Sequence, residues 1–240
     1  MANTYFQFKQ FTVHQEHCAM KVCTDACLQG AFTARYLAGH GYAVKRILDI
    51  GTGTGLLSLM LAQSHPAEIT AVELDPGAVL QARENFAASP WQQRLTVQEA
   101  DIRALPAAEA FDFIITNPPF YESALKSGNQ QKNNAMHATS LGYGELISAI
   151  ERHLKPVASF SVLLPYAEFQ EFRALAAEKG FRLHRLLEVR QSVNHGYFRA
   201  VGIFSSAGSE PVITEMAIRD EQQQYTAAFI DLLKPYYLKL

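Results

Sequence analysis

"RILDIGTGTGLLSLMLAQS", residues 46–64, joins a short apolar run to a glycine-rich turn and then to a second, longer apolar segment. The five residues 46–50 read as a strand buried on both faces, and "LLSLMLAQS" (56–64) reads as a helix. "EITAVEL" (68–74) is a second strand, and "PGAVLQARENFAAS" (76–89) is a helix with proline in its first turn. "LTVQEA" (95–100) and "FDFIIT" (111–116) are the third and fourth strands. A helix near 143–154, a strand at 157–164, a helix at 166–179 and strands at 181–189 and 198–205 continue the pattern. The last two strands lack an intervening helix, so they are expected to pair antiparallel.

Strands joined by crossover helices imply a parallel sheet covered on both faces. With right-handed crossovers, the expected fold class is α/β, a doubly wound, mostly parallel, seven-stranded Rossmann-like sheet. Ahead of it, "YFQFKQFTVHQ" (5–15) reads as a small hairpin, followed by a helix capped by Thr24 or Asp25 and running to about Leu37. The expected division is therefore an N-terminal hairpin and capping helix over residues 1–45 and a main domain over 46–240.

Composition bounds the function. The 240 residues are 48% hydrophobic and 18% charged, which suits a soluble chain with a sizeable core. No apolar run approaches the roughly 20 residues that span a bilayer, and residues 1–10 lack the apolar centre of a secretory signal. A cytoplasmic protein without a membrane partner is expected. The net charge of −2 argues against a wholesale polyanion binder, although residues 47–120 carry three Lys or Arg against nine acids and residues 121–200 carry ten against seven. Cys18, Cys23 and Cys27 fall in a C-x4-C-x3-C spacing that matches no common zinc or iron–sulfur pattern. They read as free structural thiols, and no metal site is expected.

Doubly wound sheets bind ligands at the carboxyl ends of their strands, and the residues there form a series. After the first strand, Asp49, Gly51, Gly53 and Gly55 give D-x-G-x-G-x-G, a turn that lets a ligand approach the backbone. A dinucleotide fingerprint would need glycine where Leu56 stands. The second strand closes with Glu73, an acid placed to accept from ribose hydroxyls, and with Leu74. The third closes on Asp101 and Ile102; Asp101 could accept from an adenine amine or cap the turn that follows. The fourth delivers Asn117-Pro118-Pro119-Phe120.

Prolines donate no N–H, so this last segment offers acceptors without neighbouring backbone donors. Asn117 and the Pro118 carbonyl could take both N–H bonds of an exocyclic amine, the consecutive prolines fixing that carbonyl, while Phe120 stacks on the base. Asn117 cannot act as a base, so catalysis would rest on orientation and acceptor placement. Bottom-up, several amino-group substrates stay open: a release-factor glutamine, a guanine N2 in rRNA, or an adenine in DNA or RNA. An inert RNA-binding module of the same fold is the non-enzymatic alternative.

The glycine turn, together with "MKVCTDACLQGAF" (20–32), "NPPFYES" (117–123) and "HATSL" (137–141), resembles the class I S-adenosylmethionine-dependent methyltransferases. Within them the chain is similar to the bacterial tRNA1(Val) adenine-37 N6-methyltransferase family over essentially its whole length. The resemblance implies methyl transfer from S-adenosylmethionine, leaving S-adenosylhomocysteine, to N6 of the adenosine beside the anticodon of a tRNA. It also implies that Lys21 and Thr24 lie near the cofactor with the strand-end residues. Lys126, Lys132, Lys179, Arg182, Arg185, Arg190 and Arg199 are candidates to meet RNA phosphates along the anticodon arm. His137, His184 and His195 read as structural.

Overall fold

The computed structural model describes residues 3–18, 20–39, 44–106, 110–119, 141–208 and 210–240. Phe120, Lys126, Lys132, His137 and the rest of 120–140 lie outside the described residues.

Strands β1 (Tyr5–Gln7) and β2 (Thr12–His14) form the expected hairpin, with Phe6 opposite Val13. Helix α1 spans Thr24–Ala38. Neither Thr24 nor Asp25 caps it: the N-cap is Cys23, without a side-chain bond. The Asp25 carboxylate instead pairs with Arg199 Nε at 2.7 Å, and such a partner outcompetes the local backbone donors.

From there β3 (Arg46–Ile50), α2 (Leu56–Ser64), β4 (Glu68–Glu73), α3 (Pro76–Ala87), β5 (Leu95–Glu99) and β6 (Phe111–Thr116) alternate as the pattern implies. They are followed by α4 (Tyr143–His153), β7 (Leu154–Pro165), α5 (Tyr166–Glu178), β8 (Arg182–Ser192), β9 (Tyr197–Ser205), β10 (Val212–Arg219) and α6 (Ala227–Leu233). The sheet order is β10-β8-β9-β7-β6-β3-β4-β5, with β9 alone antiparallel to its neighbours.

The sheet thus has eight strands, not seven. β10 escapes a reading based on buried apolar runs because Met216 is its one buried residue, while Val212 and Ile213 are half exposed at the sheet edge. β7 also starts earlier than expected. Pro156 argues against a strand interior, and the strand tolerates it by a bulge between the Phe111 and Phe113 pairings.

The sheet divides the core in two. One side packs α1, α2, α3 and α6 with the aromatics of the N-terminal hairpin, Phe8 and Phe11; the other packs α4 and α5 around Phe160, Phe169, Phe172 and Phe204. Gly202 in β9 leaves room for that second core, since a Cβ there would meet the Phe169 and Phe204 rings at 2.7 Å. No helix among the described residues is long and apolar enough to cross a membrane.

Candidate functional site

β3 lies at the centre of the sheet and its end is held from both sides. Gly51 N–H donates to the Val72 carbonyl at the end of β4 (2.8 Å), and the Thr116 hydroxyl at the end of β6 donates to the Ile50 carbonyl (3.0 Å). Gln29, fully buried in α1, donates Nε2 to the Thr116 carbonyl at 2.8 Å. The glycine turn and Asn117 are therefore fixed relative to each other by backbone and buried side chains.

Between them lies a cleft of about 290 Å³, lined by Cys18, Lys21, Cys23, Gly51, Gly53, Glu73, Asn117 and Pro119 among others. Gly51 and Gly53 have φ of 71° and 56°, and a Cβ on Gly51 would meet nothing within 4 Å. That open space over a left-handed turn is a cradle for a ligand. Gly55 is different: it is the left-handed N-cap of α2, and its missing Cβ makes room for the Phe86 ring, 2.5 Å away. Its role is packing.

Asp49 sits beneath the turn, fully buried, with Oδ2 accepting from the Thr52 and Ser58 hydroxyls at 2.7 Å each. Burial pushes its carboxyl up to about 6, against the pull of those two hydrogen bonds. Its Oδ1 has no partner. Glu73 reaches back over the turn: Oε2 accepts from Gly53 N–H (2.9 Å), and Oε1 from the N–H groups of Leu74 (2.7 Å) and Asp75 (3.0 Å). A carboxylate has about four lone-pair sites, so roughly one remains for a ligand. The expected grip on both ribose hydroxyls requires one of those backbone bonds to yield.

Asn117 stands at the opposite wall, and its Oδ1 is buried without a partner. Unsatisfied buried acceptors cost about 1–3 kcal/mol each. Asn117 lines the cleft, so its Oδ1 marks a place where a donor-bearing ligand belongs, whereas Asp49 is buried beneath the glycine turn and is not part of the lining. Pro118 is buried and Pro119 lines the cleft.

The other expected residues lie around this centre rather than in it. Lys21 lines the cleft, but its ammonium donates to the carbonyls of Gln15 and Cys18, clasping its own loop. Thr24 hydrogen-bonds Tyr237 and is not part of the lining. Leu74 is half exposed above β4, and Ile102 is buried in the core with Ile50 and Val72. Asp101 gives both oxygens to Arg103, which holds its carboxyl below the usual range, and also accepts the Arg103 N–H as a turn cap. The three cysteines are free. Cys18 and Cys23 are in the cleft wall, while Cys27 is in the core with its thiol pushed up to about 12 by burial. Among the described residues no group of three or more His, Cys, Asp or Glu could hold a metal.

Several positioning residues were not foreseen. Asn85 donates to the Thr54 and His14 carbonyls and accepts from His14 N–H, and Gln81 accepts from His17 N–H, so α3 ties the N-terminal strap to the glycine turn. The signal was available: Gln81 and Asn85 stand four apart on the apolar face of α3 formed by Ala78, Ala82 and Phe86.

A family model described as the methyltransferase small domain matches residues 31–185. The chain is 43% identical to a tRNA1(Val) (adenine(37)-N6)-methyltransferase from Dyadobacter fermentans, covering 99% of this chain and 98% of the relative. It is 39% identical to proteins of the same name from Pseudoalteromonas translucida, covering 98% and 99%, and from Phocaeicola vulgatus, covering 100% of both. Among solved structures, a predicted O-methyltransferase from Agrobacterium tumefaciens superposes with a TM-score of 0.64 at 19% identity, over 88% of this chain and 96% of that one. A glycopeptide N-methyltransferase complexed with S-adenosylmethionine gives 0.54 at 14% identity, over 73% and 93%.

Proposed function

The chain belongs to the tRNA1(Val) (adenine(37)-N6)-methyltransferase family, and from that premise we propose that it methylates N6 of an adenosine in tRNA, adenine 37 beside the anticodon. The observation that carries this reading is the buried, unpartnered Oδ1 of Asn117 across the cleft from Gly51, Gly53 and Glu73. An amine entering that cleft brings the donor this acceptor lacks.

S-adenosylmethionine, seated on the glycine turn, supplies an electrophilic methyl on a sulfonium. The Gly51 cradle accommodates its approach to the backbone, and the remaining acceptor site of Glu73 takes a ribose hydroxyl. Asp49, at about 6, is ionised at neutral pH and would place its negative charge beneath the turn that holds the positively charged methionine portion.

Asn117 does the orienting. An adenine N6 lone pair is delocalised into the ring, so the amine is a poor nucleophile. Accepting its two N–H bonds at Asn117 Oδ1 and the Pro118 carbonyl favours a pyramidal nitrogen with the lone pair facing the methyl. Neither acceptor takes the proton, which leaves to water after transfer. The site works by placement of acceptors. Phe120, expected to stack on the flipped base, lies outside the described residues. A cytoplasmic enzyme acting on the anticodon arm fits this chemistry.

The test is to incubate the protein with methyl-labelled S-adenosylmethionine and unmodified tRNA, then digest and identify the labelled nucleoside by mass spectrometry. N6-methyladenosine at position 37 is the expected product. Label recovered only in protein, on glutamine, would reassign the substrate.

A further inference from the structure

We propose that Tyr166, Tyr197 and Arg190 form a platform on which unpaired nucleotides flanking the target base stack. This rests on the reading of the chain as an RNA adenine methyltransferase and adds where the RNA lies.

Topology gives the direction. The cofactor cleft extends from Asn117 over β3 and β4, so the methyl acceptor approaches over the strands on the other side of β6, in the order β7, β9 and β8. β7 pairs Val162 with Thr116 and continues three residues to Pro165. At about 3.3 Å per residue it rises roughly 10 Å beyond the strand that carries Asn117. Tyr166 begins α5 at that height.

A break in strand register then brings Tyr197 to it. β8 and β9 pair Val189 with Arg199 but Arg190 with Tyr197, leaving one extra residue in β9. Such a bulge re-aims a side chain, and here it turns the Tyr197 ring to the face holding Arg190 and Tyr166. The two tyrosine rings lie 5.0 Å apart at 36°. The Arg190 guanidinium sits 4.2 Å over the Tyr197 ring and donates to the Tyr197 hydroxyl at 2.6 Å. The far ends are anchored as well: Tyr166 donates to Glu188 at 3.1 Å and Arg190 to Glu215 at 3.0 Å. All three side chains are half-buried, so each keeps part of its surface open to solvent.

The charges decide the mode of binding. Glu188 and Glu215 lie against Tyr166 and Arg190, and Asp25 pairs with Arg199 at the same end of β9, so these two arginines are outweighed by three carboxylates and do not make the rim a phosphate-attracting surface. What it offers is three flat, immobilised π-surfaces, and base stacking on such surfaces is tolerant of sequence. A peptide-docking site would call for a contiguous apolar patch. The adjacent turn instead exposes Asn194, His195 and Gly196 beside Val193. Of the candidate cations, Arg182 opens β8 about 26 Å from Arg190 at strand spacing, and Arg185 lies about 17 Å from it. Lys179 pairs there with Glu151. All three lie away from the strand ends that carry the platform and take no part in it.

The experiment titrates a fluorescent anticodon stem-loop with wild type, Tyr197→Ala, Tyr166→Ala, Tyr197→Phe and Arg185→Ala, measuring S-adenosylmethionine affinity, thermal unfolding and methyl transfer in parallel. Each alanine variant is expected to weaken RNA binding on the order of tenfold, with cofactor affinity and melting temperature near wild type. Tyr197→Phe and Arg185→Ala should bind as wild type, and the salt dependence should be the same in all. RNA binding unchanged in both alanine variants overturns the platform, as does a loss matched by Arg185→Ala. Wild type that binds RNA through these tyrosines yet methylates no adenosine keeps the platform and removes the proposed function. Wild type that binds no RNA removes both.

Discussion

Strands β5, β4, β3 and β6 all run one way, and β4, β3 and β6 end around one cleft, whereas β7, β9, β8 and β10 contain a reversed strand, register breaks and an exposed edge. In the first half every crossover returns the chain to the same end of the sheet. Position in space therefore follows from position in sequence: Gly51, Glu73 and Asn117 meet because each closes its strand. In the second half β9 runs backwards, so Arg190 near the end of β8 meets Tyr197 at the start of β9. A motif reader can find the first kind of site, but the second exists only after pairing and bulge are known.

The sharpest way to break this comparison is Asn117→Ala. Losing one preorganised acceptor should lower methyl transfer about 10²–10³-fold, with S-adenosylmethionine affinity measured by calorimetry left near wild type. Loss of cofactor affinity at unchanged turnover would move Asn117 out of the role assigned to it.

A second test separates glycines that look alike in sequence. Gly55→Ala combines a left-handed residue, about 1–2 kcal/mol, with a Cβ driven into Phe86, about 1–3 kcal/mol. It should destabilise the fold by about 2–5 kcal/mol in denaturant titration. Gly51→Ala carries only the first cost and places its methyl in the open cradle, so it should lose cofactor affinity with a smaller change in stability. Equal unfolding midpoints for the two variants would contradict this division.

The same contrast explains what could be read in advance. The strand–turn–helix alternation, the parallel sheet and the strand-end residues were legible because buried apolar runs and glycine turns are local signals. β10 was not, because an edge strand with one buried residue has the composition of a surface loop. The cap of α1 is not legible because the charge that occupies Asp25 comes from Arg199, in distant β9. The sequence leaves Asp101 between two roles for the same kind of reason. Its partner Arg103 is two residues away, but nothing in the spacing says that the guanidinium folds back on it. Lys21 was placed at the cleft by resemblance, and its attachment to the Gln15 and Cys18 carbonyls depends on the path of the strap.

Asp49 supplies a pH test of the cofactor half. Its folded value of about 6 lies above the ordinary 3.8, so the unfolded chain ionises first. The cofactor-free protein should then lose stability as pH rises from about 4 to about 6, by up to about 3 kcal/mol at 1.36 kcal/mol per unit. A positive charge bound over the turn favours the ionised form of Asp49, so S-adenosylmethionine should bind more weakly below pH 6 and release protons on binding near it. Asp49→Asn should flatten both profiles. Calorimetry in buffers of different ionisation enthalpy measures the released proton, and a profile unaltered by the substitution would place the charge elsewhere.

The smallest effect belongs to the outer half. Val157, in the bulged start of β7, has φ of 57° and is 69% exposed. A β-branched residue is strained in the left-handed region, and so exposed a side chain gives back little through burial. Asparagine adopts this conformation with less strain, so Val157→Asn should stabilise the protein by about 1 kcal/mol, raising the melting temperature by roughly 2–4 °C for a chain of this size. The site end of β7 lies eight residues further on, so methyl transfer and RNA affinity should stay unchanged. If the substitution lowers stability, the bulge depends on packing of the valine itself. If it alters RNA affinity, the register of β7 is coupled along the strand to Tyr166, and the outer half moves as one unit.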